Sequence, residues 1–74
     1  MPTINGKFIC CKFIEFTDVD GKIVRGYLPY VLTENDNIIK CKLRKSALND
    51  LSMGDDVIVN VLISGKFVKY ELAV

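Results

Sequence analysis

Residues 53–74 read Met-Gly-Asp-Asp-Val-Ile-Val-Asn-Val-Leu-Ile-Ser-Gly-Lys-Phe-Val-Lys-Tyr-Glu-Leu-Ala-Val, and this stretch decides the fold. Two runs of β-branched and aromatic residues are joined across Ser64-Gly65, a pattern typical of a β-hairpin. The residues expected on its apolar face are Val57, Val59, Val61, Ile63, Val68, Tyr70, Leu72 and Val74. The sequence therefore predicts two antiparallel strands here.

Three more extended segments are predicted upstream of the hairpin. The first runs from Thr3 to Thr17, and a turn follows at residues 18–21, where Asp and Gly favour a reversal. The second runs from Lys22 to Leu32, and we expect its even positions to face the core. Those positions are Val24, Gly26, Leu28, Tyr30 and Leu32, and Arg25, Tyr27 and Pro29 are expected on the opposite face. Gly26 and Pro29 predict a bend, a bulge or an edge in this strand.

The third predicted strand carries a basic row. It runs from Ile38 to Arg44, and its apolar and basic residues alternate. The basic positions are Lys40, Lys42 and Arg44, and the apolar ones are Ile39, Cys41 and Leu43. Because alternate residues of a strand share a face, we expect a linear row of cations.

A short helix is predicted between the third and fourth strands. In residues 45–53, Ala47, Leu48 and Leu51 have helical spacing, and Ser46 is available as an N-cap. Gly54 is expected to end this helix before the final hairpin.

Length and composition indicate one small domain, residues 1–74, with no membrane span. Hydrophobic residues make up 50% of the chain and the formal net charge is +1. The longest uncharged stretch is too short to cross a bilayer. The free cysteines Cys10, Cys11 and Cys41 favour a reducing, cytoplasmic setting. With no histidine and no phosphate-binding motif, we expect no metal, no cofactor and no enzymatic activity.

The order of elements resembles that of a known family. Three strands, a helix and two strands, with Gly54-Asp55 opening the fourth strand, are similar to the five-stranded oligonucleotide/oligosaccharide-binding (OB) barrel. The layout looks like that of the small helix-destabilising proteins of phages and mobile elements that bind single-stranded DNA. This resemblance implies an all-β, OB-like barrel that binds single-stranded nucleic acid, DNA in particular, as a homodimer.

Cations along a groove and aromatic rings for base stacking are the features that single-strand binding needs. The candidate binding residues are Arg25, Tyr27, Lys40, Lys42, Arg44, Phe67 and Lys69. Tyr27 and Phe67 are the stacking candidates. The remaining aromatic residues Phe8, Phe16, Tyr30 and Tyr70 are expected in the core, and Phe13 is left open.

Two alternatives come from other classes of protein. The apolar first strand is also typical of a small SH3-like or OB-like module that binds a protein and has no nucleic-acid role. The other alternative is a structural subunit whose dimer interface uses the first strand. A single concave face carrying Lys40, Lys42, Arg44 and Tyr27 would favour nucleic acid, whereas dispersal of these residues around the barrel would favour the protein-binding module.

Overall fold

One antiparallel sheet of five strands makes up the structure, a computed structural model that describes residues 2–73. The strands are β1 (Thr3–Thr17), β2 (Ile23–Thr33), β3 (Ile38–Lys40), β4 (Asp56–Ser64) and β5 (Phe67–Leu72). Their order across the sheet is β3-β2-β1-β4-β5. The predicted all-β class and the five strands in sequence order are confirmed.

β1 is the longest strand and pairs with two neighbours. Its N-terminal part, Thr3 to Lys7, pairs with β4, whereas it pairs with β2 over nearly its whole length. Residues 12–17 and 23–28 therefore extend past β4 as a two-stranded ribbon, here called the arm. At its tip the Asp18 carboxylate accepts hydrogen bonds from the backbone N–H groups of Asp20 and Lys22, each at 2.9 Å. The predicted turn at residues 18–21 is confirmed.

The irregularity predicted for β2 lies in β1 instead. The register shifts between Phe8 and Cys10, so Ile9 is an extra residue on the β1 side. Such a bulge bends the strand and increases its twist. It also exchanges the two faces of β1, which puts Phe8 and Cys11 on the core side.

The odd-numbered residues of β2 face the core. The prediction that its even-numbered residues face the core is therefore wrong. Val31 is fully buried. It lies opposite Phe8 of β1 on one side and opposite Ile39 of β3 on the other. Pro29 is also fully buried. Tyr30 lies opposite Lys40 on the other face and is not in the core. Both faces of β2 carry apolar residues, so alternation alone gives no basis for choosing between them.

The core is small and lies where β1, β2, β4 and β5 meet the segment that follows β3. Its buried members are Phe8, Val31, Cys41, Val57, Val59 and Leu72. The final hairpin has the predicted pairing, with Val59 opposite Leu72 and Ile63 opposite Val68. Its turn is Gly65-Lys66, since Ser64 pairs with Phe67. Val74 lies outside the described residues.

The aromatic residues divide between core and surface. Phe8 is in the core as predicted, and Tyr70 packs against it from a half-buried position. Phe16 was expected in the core but is 48% exposed, because it lies on the arm beyond the reach of β4. Phe13 is also on the arm and is exposed.

The predicted helix between β3 and β4 is absent. The described residues contain no helix, and residues 45–55 form bends and turns. The Asp55 carboxylate accepts the Ser52 N–H at 2.8 Å, a local bond of the kind that competes with helix formation. The segment is also shorter than the length at which isolated helices become stable. Leu48 and Leu51 still pack against the core, so the apolar positions were predicted correctly and their conformation was not.

The sheet is not closed into a barrel. β3 and β5 are its edges. After β3 the Cys41 N–H donates to the Pro29 carbonyl at 2.8 Å, and the Lys42 N–H donates to the Tyr70 carbonyl of β5 at 2.7 Å. Residues 41–42 thus cross from one edge of the sheet to the other.

Candidate nucleic-acid interface

A groove between the sheet edges brings three of the predicted binding residues together. Its lining includes Lys40 and Lys42 from one edge and Lys69 from β5. The crossing of residues 41–42 creates this arrangement, because it turns the chain from β2 toward β5 directly after Lys40. Lysines that are far apart in the sequence therefore share one concave surface.

The charges of this groove are partly compensated. The Lys42 ammonium lies 3.8 Å from the Glu71 carboxylate, and both side chains are about half exposed. Such an exposed ion pair contributes little to stability, so another anion can readily replace the Glu71 carboxylate beside Lys42. Within residues 2–73, Lys40 and Lys69 form no ion pair, so their ammonium groups remain available.

Tyr70 is a groove residue that sequence reasoning assigned only to the core. It lines the groove beside Cys41 and is half-buried. Its position on the apolar face of β5 was correct. That face of β5 borders the gap between the two sheet edges, and strand alternation carries no signal for such a gap.

The predicted row of cations is interrupted, which corrects the expectation for the third strand. Lys40 lies opposite Tyr30, whereas Arg44 lies opposite Tyr27. The chain contains one more residue between Lys40 and Arg44 than β2 does between Tyr27 and Tyr30. Because directly opposed residues share a face, Lys40 and Arg44 lie on opposite faces of the sheet.

Tyr27 and Arg44 belong instead to a second group on the arm. They exchange both backbone hydrogen bonds, at 2.7 and 2.8 Å. Gly26 makes this close approach possible, since a Cβ there would lie 2.7 Å from the Arg44 carbonyl oxygen. The Tyr27 ring packs edge-on against Phe13, with ring centroids 5.4 Å apart and planes at 62°. Arg25 is on the same face but is paired with Glu15 at 2.6 Å.

Phe67 lies outside both groups. It is 73% exposed beside the turn of the final hairpin and does not line the groove. As the alternate residue before Lys69 on β5, it lies on the same strand face as that lysine. The structure therefore places the seven predicted residues at the groove, on the arm and at the hairpin tip.

A second cleft of the molecule is acidic. It is lined by Glu34, Asp36 and Asp56 together with Lys7. Lys7 forms an ion pair with Asp56, which leaves an excess of carboxylates there. The near-neutral chain thus has a cationic groove and an acidic cleft.

The cysteines are free thiols in different environments. Cys10 is exposed and Cys41 is buried. Burial raises the pKa of the Cys41 thiol to about 11. Burial also raises the pKa of Cys11, although the nearby charge of Arg44 acts in the opposite direction. Over residues 2–73 there is no group of three or more side chains that could hold a metal ion.

Comparison with protein family models, with curated proteins and with solved structures finds no match to this chain. None of residues 2–73 belongs to a helix long and apolar enough to cross a membrane.

Proposed function

We propose that this protein binds single-stranded nucleic acid, DNA in particular, without catalysing a reaction. The observation that carries the proposal is the groove between β3 and β5, whose lining includes Lys40, Lys42, Lys69 and Tyr70. Cations that follow a phosphate backbone and a ring on which a base stacks are the two requirements for such binding.

The two requirements are met at neighbouring positions. The ammonium groups of Lys40 and Lys69 contact phosphates, and the half-buried Tyr70 offers a ring edge or face to a base. Phe67 extends the same surface toward the hairpin tip and stacks a further base. Each stacked base contributes roughly 1–3 kcal/mol to binding.

An OB-type architecture is part of the proposal. Joining the two edges of the sheet would give the cyclic order β1-β2-β3-β5-β4, and residues 41–42 already link β2 to β5. A partly open Greek-key barrel is the form in which OB folds bind oligonucleotides. We accordingly propose a small OB-like protein of the helix-destabilising type, homodimeric and cytoplasmic.

Charge reversal in the groove tests this function. Lys40→Glu combined with Lys42→Glu is expected to weaken binding of a labelled single-stranded oligonucleotide at least about tenfold at low salt, because two phosphate contacts become repulsive. Both side chains are exposed, so folding is expected to persist. Fluorescence anisotropy at two salt concentrations measures the affinity and its salt dependence.

The matched control is Lys7→Glu combined with Lys22→Glu. It changes the net charge equally but lies outside the groove. We expect the control to reduce affinity far less than the groove variant. A folded groove variant that binds as tightly as the wild type would remove the groove from the proposal.

A protein-binding module is the second candidate, and two observations support it. Tyr27 and Arg44 lie apart from Lys40 and Lys42, and the arm exposes apolar side chains. Phe13, Phe16 and Ile23 are all exposed there, which is unusual for large apolar side chains so close together. Absence of oligonucleotide binding at low salt, with a folded protein, would make this candidate the better account.

A further inference from the structure

The β1 side of the arm is an open sheet edge. β4 pairs with β1 only as far as Lys7, and Phe8 then bonds to the backbone of Gly54 and Asp55. Beyond this point, no strand within residues 2–73 lies beside β1 on the side away from β2. Open edges of this kind are templates for pairing with another chain.

Backbone groups of Phe13 and Glu15 point out of this edge. Tyr27 directs its N–H and carbonyl to Arg44, on the side of β2 away from β1. Since Phe13 lies directly opposite Tyr27, its own N–H and carbonyl point away from β2. The same holds for Glu15, two residues further along.

The arm also exposes apolar side chains on both of its faces. Phe13 is 54% exposed on one face and Phe16 is exposed on the other. A two-stranded ribbon is marginally stable in water unless it packs against more structure. Pairing along the open edge would satisfy the backbone groups and cover these rings together.

We propose that the occupant of this edge is a second copy of the same chain, paired antiparallel about a two-fold axis at Ile14. The copies then share one continuous sheet, in which Phe13 of each exchanges backbone hydrogen bonds with Glu15 of the other. This names the interface of the homodimer proposed above and rests on that part of the proposed function, not on nucleic-acid binding.

The charges along β1 select this register. A two-fold axis normal to the sheet keeps each residue on its own face, so odd residues lie opposite odd ones and even residues opposite even ones. The axis therefore lies between the strands at the level of one residue, which faces its own copy. An axis at Lys12 or at Glu15 would set like charges directly opposite each other, which destabilises a strand pair. An axis at Phe13 would set Cys11 against Glu15 of the second copy and Thr17 against Ile9, the extra residue of the bulge, where regular pairing is interrupted.

The register at Ile14 places complementary groups together. Ile14 packs against Ile14 of the second copy, and Lys12 lies opposite Phe16 of that copy. The methylene stem of a lysine covers an aromatic ring while its ammonium group stays in water. Glu15 keeps its ion pair with Arg25 of its own chain.

A proline at the open edge tests the interface. Glu15→Pro removes an N–H that points out of the edge, so pairing of β1 with β2 is retained while pairing with a second copy is blocked. Glu15→Ala is the matched control, because it loses the same ion pair with Arg25 and keeps the N–H. Light scattering after gel filtration is expected to give dimers for the wild type and for Glu15→Ala, and monomers for Glu15→Pro.

Disulfide trapping tests the register of the two β1 strands. It also tests whether the interface exists if Glu15→Pro does not fold. In a background with Cys10→Ser and Cys11→Ser, Ile14→Cys is expected to form a cross-linked dimer under mild oxidation. Phe16→Cys is expected to stay uncross-linked, because each copy's residue 16 would lie opposite Lys12 of the other. Cross-linking of Phe16→Cys alone would overturn the register.

A wild-type protein that is monomeric at high micromolar concentration, or a folded Glu15→Pro variant that remains dimeric, would overturn the interface. Oligonucleotide binding is measured separately for each variant. Dimer loss with retained binding leaves the proposed function standing, and binding loss in Lys40→Glu/Lys42→Glu with the dimer intact leaves the interface standing.

Discussion

Gly6 sets how closely β1 and β2 can approach at the edge of the core. A Cβ at this position would lie 2.8 Å from the Leu32 carbonyl oxygen and would overlap the Val31 side chain. Val31 is fully buried and has no room to move, and the carbonyl belongs to the sheet backbone. Glycine is therefore required by packing at this position.

Gly6→Ala is expected to lower the free energy of unfolding by about 1–3 kcal/mol, the usual cost of overpacking a tight core. Urea denaturation followed by circular dichroism measures it. Asn5→Ala, at the exposed neighbouring position of β1, serves as the control and should stay within about 0.5 kcal/mol of the wild type. A Gly6→Ala variant as stable as the control would show that the strands can separate without cost.

Cys41 couples stability to alkaline pH. Burial raises the pKa of its thiol from 9.0 to about 11 in the folded protein, whereas the thiol ionises near its ordinary pKa when unfolded. The stabilisation is complete below pH 9 and is lost as pH rises toward 11, by about 2–3 kcal/mol.

Urea denaturation between pH 8 and pH 11 tests this coupling. Cys41→Ala is expected to be less stable at pH 8 but to lose less stability than the wild type as pH rises. Cys10→Ala, at an exposed thiol, is expected to keep the wild-type slope. Equal slopes for Cys41→Ala and the wild type would contradict the assignment.

Among the elements, the arm depends most on its own turn. Within residues 2–73, no further strand lies beside its two strands at the tip, so the turn at residues 18–21 determines how well they pair. The Asp18 carboxylate holds this turn by accepting two backbone N–H groups.

Asp18→Ala is expected to destabilise the arm by about 1 kcal/mol, since both side-chain hydrogen bonds are lost. Amide hydrogen exchange is expected to rise in residues 12–17 and 23–28 and to change little in β4. Asp18→Asn retains an oxygen acceptor and should protect the arm almost as well as the wild type. Uniform exchange changes across the sheet would argue against a locally held arm.

The elements that the sequence could predict are long apolar runs bounded by turn-forming residues. β1 has the predicted bounds, and the β4–β5 hairpin has the predicted strands, because turn-forming Asp, Ser and Gly residues mark where these strands end. β2 has apolar residues on both faces, and the bulge at Ile9 reverses β1, so the core side there could not be deduced. The segment before β4 has helical spacing but too many competing Ser, Asn and Asp groups.

At the scale of the whole molecule, the candidate site was predictable only in part. The basic positions Lys40, Lys42 and Lys69 do meet in one groove, yet the reason is the crossing of residues 41–42, which no local pattern encodes. Arg44 was separated from the row by one extra residue, and Tyr70 joined the groove because the sheet stays open. Long-range closure of a sheet is decided by twist and register together, not by alternation within a strand.

The link between the sheet edges has a topological consequence. The Lys42 N–H donates to the Tyr70 carbonyl of β5, and the Lys42 ammonium forms a weak ion pair with Glu71. These two contacts can break locally while the strands remain paired. A polymer can then enter the groove sideways and needs no free end to thread through a ring. If the proposed function holds, a closed circle of single-stranded nucleic acid is as accessible to the groove as a linear strand.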